Sequence, residues 1–206
     1  MDAVIPVDLQ EEPANFDERV RQPGLAWLAE QGISLDQAPA DPSKLPNYWT
    51  RTSEQLWEAY SGVCAYLSIY FEWGTGAAST DHFIAKSSLA GEAYEWNNFR
   101  LSCLAPNRSK NKYDDVIDPI GMAEHTFVIN FSSGEISPNP ALPAKQKALA
   151  RKTITRLKLD SHQNDKMRAE HFASYIQGDF SLDYLSRKSP FVYTEIMRQG
   201  LNSAVG

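Results

Sequence analysis

The sequence predicts an α+β fold. Two segments dense in aromatic and β-branched residues, 63–73 (VCAYLSIYFEW) and 125–131 (HTFVINF), are bounded by turn residues, as short strands are. Residues 94–104 (YEWNNFRLSCL) lead from a strand end into a helix start. The C-terminal third instead repeats its apolar residues at helical spacing.

Element by element, residues 1–48 hold Pro6, Pro13, Pro23, Pro39, Pro42 and Pro46, too many for a long helix. One short helix is expected over 23–32, because Pro23 suits a first turn and Gly32 a stop. Trp49, Leu56, Trp57 and Tyr60 recur at helical spacing, with Thr52 or Ser53 to cap the start and Ser61-Gly62 to end it. Residues 63–73 read as a buried strand or hairpin, with a short helix as the alternative. Gly74-Thr75-Gly76 is a turn. A hairpin is expected over 125–138 around Ser132-Ser133-Gly134-Glu135. Helices follow over 145–158, about 163–177 and, after Pro190, about 190–200. In the first of these Ala150, Ile154 and Leu157 share a face. Lys145, Lys147, Arg151, Lys152, Arg156 and Lys158 point mostly elsewhere, either as a solvated face or as phosphate contacts.

Of the 206 residues, 42% are apolar and 22% charged, which excludes wholesale disorder and collagen-like repetition. The chain is long enough to bury a core without staples. No apolar run approaches the roughly 18 residues of a spanning helix, and MDAVIPVDLQ lacks the basic start and apolar run of a secretory signal. Two cysteines make no disulfide framework. A soluble cytoplasmic protein without a membrane partner is expected. The formal net charge is −6, and all of it lies in residues 1–36; the remainder sums to zero. That excludes a protein that coats nucleic acid by bulk charge, and leaves open an enzyme with a local basic patch.

The chemistry concentrates in one block: Asp81-His82, then Trp96-Asn97-Asn98-Phe99, then Cys103 to Lys110 with Asn107 and Arg108. Metal-assisted phosphodiester hydrolysis needs a base to activate water, and a neutral imidazole suits that near pH 7. It also needs a hard cation on the phosphate, held by carboxylate and amide oxygens with waters completing the shell. Adjacent residues of a strand point to opposite sides, so one of Asp81 and His82 can hold metal while the other reaches the water if the strand bends. Asn107 offers a second oxygen from a helix just downstream, and Arg108, Lys110 and Lys112 offer cations for phosphate.

This block resembles the HNH endonuclease family, whose ββα-metal core reads Asp-His, then Asn-Leu, then Cys-x-x-Cys-Asn-x-x-Lys. The resemblance implies a ββα core over about 80–112, flanked by helices and followed by a hairpin and a helical lobe. It implies His82 as general base and Asn98 as the second catalytic-motif residue, bracing the loop between the strands and orienting His82. Asp81 and Asn107 would hold Mg²⁺ or Mn²⁺, and Lys86, Arg108, Lys110 and Lys112 would meet nucleic acid. The flanking segments, over about 48–172, are similar to the HNH proteins paired with ABC- or OLD-like ATPases in bacterial antiphage defence, such as the Septu and certain retron systems. An ATPase partner is implied accordingly. The implied organisation is an acidic, Pro-rich extension over 1–47, the nuclease core with its flanking helix and hairpin over 48–142, and a helical lobe over 143–206.

The chain departs from the family at its zinc ligands. Many members carry two Cys-x-x-Cys pairs; here the pairs read Cys64-Ala-Tyr-Leu67 and Cys103-Leu-Ala-Pro106. Two thiolates make a poor tetrahedral site, so no structural zinc is expected, with Leu67 and Pro106 packed in its place and the two thiols close together. DNA is the favoured substrate. A nuclease acting on RNA, for instance tRNA, and a retired HNH-fold binding subunit are the alternatives.

Overall fold

The computed structural model describes residues 7–203; the first six residues of the expected N-terminal extension and the last three of the expected lobe lie outside them. Among the described residues are seven α-helices and two separate two-stranded antiparallel sheets, so the class is α+β. The chain divides into two compact units, one formed by residues 9–62 and 71–114, the other by 7–8, 63–70 and 115–203. These units cut across the three consecutive segments expected from the sequence.

In the first unit, β1 (Ala78–His82) pairs antiparallel with β2 (Phe99–Cys103), with Asp81 opposite Arg100 and His82 opposite Phe99. α3 (Leu104–Lys110) starts directly after β2. Pro106 is tolerated because it sits in the first turn, where backbone N–H groups have no intrahelical acceptor. The long connection between the strands carries two 3₁₀ turns, Gly91–Tyr94 and Trp96–Asn98, and is closed by the Phe83 N–H donating to the Asn98 carbonyl at 2.9 Å.

The acidic, Pro-rich segment is built into this unit from residue 9 onward. A π-helical turn, Asp17–Arg21, runs into α1 (Gln22–Glu30), so the helix expected over 23–32 starts earlier and stops sooner, ahead of Gly32 at φ +63°. Phe16 is fully buried, edge-on to Trp96 and Phe99 at 5.4 and 5.7 Å between ring centroids. Gly24 lies against the Tyr94 ring so closely that a Cβ there would sit 2.3 Å from it. The Trp96 indole N–H donates to the Gln10 carbonyl at 2.8 Å. A 3₁₀ turn, Tyr48–Thr52, and α2 (Ser53–Ala59) realise the helix expected from Trp49, Leu56, Trp57 and Tyr60; all but the half-buried Trp57 are buried.

In the second unit the strand or hairpin expected over 63–73 is reduced to a minimal hairpin over 63–70. Val63 and Tyr70 form a single antiparallel bridge around a tight turn, in which Ser68 N–H donates to the Cys64 carbonyl and Cys64 N–H to the Ile69 carbonyl. The small and aliphatic residues of the turn, Cys64, Ala65 and Leu67, are buried, and its aromatic residues Tyr66 and Tyr70 are half-buried. The expected hairpin is β3 (Phe127–Ile129) paired with β4 (Ile136–Pro138). Helices α4 (Ala144–Leu157), α5 (His162–Ile176), α6 (Leu182–Lys188) and α7 (Pro190–Arg198) follow; α6 had no counterpart in the sequence reading. Ala150, Ile154 and Leu157 are buried on one face of α4, joined by Thr153. Two buried charges tie the hairpin to the helices. Arg168 donates to the carbonyls of Gly134 (2.7 Å) and Leu159 (2.9 Å), and Glu195 accepts from the Ile129 N–H (2.9 Å) and from Arg198. Gly134, at φ +76°, has no room for a side chain: a Cβ would fall 1.8 Å from the Asp165 carbonyl oxygen.

Candidate active site

Within the first unit, the ends of β1 and α3 frame a cleft of about 590 Å³. Asp81, His82, Lys86, Asn107, Arg108 and Lys112 line it, together with Trp49, which the sequence marks only as part of a helical repeat. Six of the eight expected site residues thus share one concavity. The other two, Asn98 and Lys110, do not line it.

His82 is nearly buried, at 9% exposure. Its ring stands edge-on to Trp49 (4.8 Å) and to Phe99 (5.1 Å). Nε2 lies 3.0 Å from the Ala93 carbonyl oxygen. A carbonyl only accepts, so Nε2 carries the proton and Nδ1 is the basic nitrogen. Burial pushes the imidazole pKa down to about 4; the Ala93 bond opposes this, and the charges of Lys86 and Lys110 add to it. The imidazole is therefore uncharged near pH 7.

Asn98 is buried, and both ends of its amide are engaged. Nδ2 donates to the carbonyls of Ile84 (2.9 Å) and Glu92 (2.8 Å), and Oδ1 accepts from the Ile84 N–H (2.7 Å). It therefore clamps both sides of the inter-strand loop, one residue from the Ala93 carbonyl that holds His82. It is a positioning residue, with no surface on the cleft.

Asn107 presents the opposite arrangement. Its Nδ2 donates to Ser79 Oγ at 3.1 Å and points at the Thr80 carbonyl at 3.5 Å. The amide is thereby oriented by β1, and Oδ1 remains an acceptor. Asp81 is 3% exposed and lies 3.3 Å from the Lys110 ammonium, which also donates to the His82 carbonyl at 2.7 Å. Lys110 is fully buried. This corrects its expected role as a nucleic-acid contact: an ammonium enclosed behind β1 and bonded to Asp81 and the His82 carbonyl has no path to a phosphate. The signal was present in the helix period, since Lys110 follows the buried Pro106 by four residues and shares its face. Lys86 is half-buried, with its ammonium 4.2 Å above the Trp49 ring, and loss of hydration lowers its pKa. Arg108 and Lys112 are exposed.

Asp81 and Asn107 both line the cleft, and a carboxylate and an amide oxygen are the donor types that hard divalent cations take. Among the described residues no three His, Cys, Asp or Glu side chains form a group that could hold a metal ion. The two cysteines fall in different units and neither is in a disulfide; Cys64 is buried and Cys103 half-buried. Leu67 and Pro106 are buried, each within its own unit. No helix among the described residues is long and apolar enough to cross a membrane. No protein-family model matches the chain, and no curated protein is detectably similar to it.

Proposed function

We propose that the chain is a metal-dependent endonuclease of the HNH kind, hydrolysing phosphodiester bonds of DNA. The observation that carries this reading is His82: its Nε2–H is committed to the Ala93 carbonyl, which leaves Nδ1 as the basic nitrogen of a neutral imidazole that lines the same cleft as Asp81, Lys86, Arg108 and Lys112. In this mechanism His82 Nδ1 takes the proton of the attacking water. Asp81 and the Asn107 Oδ1 hold the divalent ion, which when bound supplies charge stabilisation on the phosphate and leaving oxygen. Lys86, Arg108 and Lys112 neutralise and position the substrate backbone. Asn98 keeps the loop, and through Ala93 the imidazole, in register. The reading extends to a cytoplasmic effector of antiphage defence, delivered or gated by an ABC- or OLD-like ATPase. The acidic total charge agrees with a nuclease that gains from delivery to its substrate.

A nicking assay on supercoiled plasmid with Mg²⁺ or Mn²⁺ tests this. Wild-type protein is expected to cut, and both EDTA and His82→Ala to abolish cutting with the fold intact by circular dichroism. Undiminished cutting by His82→Ala would reject the mechanism. Single-stranded DNA and tRNA run beside the plasmid identify the polymer.

A further inference from the structure

The buried pair formed by Asp81 and Lys110 bears directly on how a metal would be held. Among the described residues Asp81 is the one carboxylate that lines the cleft, and its negative charge is already matched by an ammonium 3.3 Å away. That ammonium is fully enclosed and anchored to the His82 carbonyl, so it cannot swing aside into water. Lys86 adds a further cation to the same cleft. The remaining ligand, the Asn107 amide, is neutral. Without substrate, a divalent cation therefore meets a pocket whose net charge is not negative. Like charges a few ångströms apart repel, and two protein oxygens leave most of a hard cation's shell unfilled. A phosphate diester entering the cleft changes both conditions at once, by adding a negative charge and an oxygen ligand.

We propose that Lys110 is a positioning residue that keeps Asp81 in a closed ion pair and thereby couples divalent-ion capture to nucleic-acid binding, so that the protein alone holds its metal weakly. The inference rests on the nuclease reading above and assigns the order in which its components assemble. It also gives Lys110 a role other than phosphate contact: the ammonium sets the charge that the metal must overcome, and it fixes the end of β1 against α3.

The test is Mn²⁺ binding followed by electron paramagnetic resonance, in a His82→Ala background that cannot cut, with and without a duplex DNA oligonucleotide. Asp81→Asn protein with the same DNA sets the baseline for ions held by DNA alone. Above that baseline, DNA is expected to tighten Mn²⁺ binding roughly tenfold or more, and by linkage Mn²⁺ should tighten DNA binding by the same factor. Lys110→Met is expected to bind Mn²⁺ more tightly without DNA and to lose most of the coupling, whereas Lys110→Arg keeps it. Mn²⁺ binding that is tight without DNA and unchanged by Lys110→Met overturns the proposal. If Lys110→Met does not fold, absence of coupling in the parent protein overturns it equally. Should no Asp81-dependent Mn²⁺ binding occur with or without DNA, the metal-nuclease reading itself fails, and this inference with it.

Discussion

Burial of His82 between Trp49 and Phe99 holds its folded-state pKa at about 4, against 6.5 for a free imidazole. Between those values the unfolded chain binds a proton that the folded protein does not. Stability should therefore rise with pH across that window and be lost as pH falls from about 6.5 toward 4. The displacement is equivalent to about 3 kcal/mol. In urea unfolding of metal-free protein at about pH 7 and about pH 4.5, His82→Phe should shrink the wild-type difference in unfolding free energy by about 2–3 kcal/mol. Equal differences in the two proteins would place the proton uptake elsewhere. At this scale the site was half legible. Asp81, His82 and Asn107 stand out as residue types at usable spacing, and all line the cleft. Trp49 was not legible as a site residue, since nothing local to position 49 says that its ring will stand against an imidazole 33 residues away.

At the scale of elements, the site depends on a loop and on a helix that reaches it from the acidic segment. Asn98 satisfies three backbone groups of the 83–98 connection with one side chain. Asn98→Ala leaves them without partners and is expected to lower the unfolding free energy by about 3 kcal/mol. Asn98→Asp should not rescue it, because a carboxylate cannot donate to the Ile84 and Glu92 carbonyls. A neutral result in a urea titration would remove the bracing role. Gly24 lets α1 lie flat on the Tyr94 ring. Gly24→Ala forces the ring or the helix to move and should cost about 1–3 kcal/mol, read as a lower melting temperature. The hairpin at 127–138 was legible because Ser133-Gly134 demands a turn between two β-prone runs. At 63–73 the expected strand or hairpin shrinks to one antiparallel bridge around a tight turn, because the same composition serves a strand or a buried turn and partners distant in sequence decide which. For α6, LDYLSRK is too short, and follows α5 too closely, for its period to stand out.

At the scale of the molecule, periodicity reports which face of a segment is buried and never which segments share a core. Three consecutive regions were therefore expected where the chain forms two interleaved units. Charge is legible at this scale, because it adds along the chain regardless of fold. The net −6 opposes a polyanion at long range, so on the proposed nuclease reading binding comes from the few cations that line the cleft. In the cleft these are Lys86, Arg108 and Lys112. Helix α4 carries Lys145, Lys147, Arg151, Lys152 and Arg156 with no acidic residue, but Lys152 and Arg156 already pair with Asp115. If duplex DNA is held by the cleft alone, three neutralised phosphates give a slope of log K against log salt of about −3. Fluorescence anisotropy of His82→Ala protein with labelled duplex, between roughly 50 and 200 mM salt, reads that slope. Replacing Arg108 and Lys112 by Ala should flatten it to about −1, while Lys145, Lys147 and Arg151 to Ala should leave it unchanged. A wild-type slope near −6, flattened by the α4 substitutions, would show instead that the basic helix is part of the substrate path. The sequence alone could not choose between that role and a solvated face, since both require the same exposed lysines and arginines.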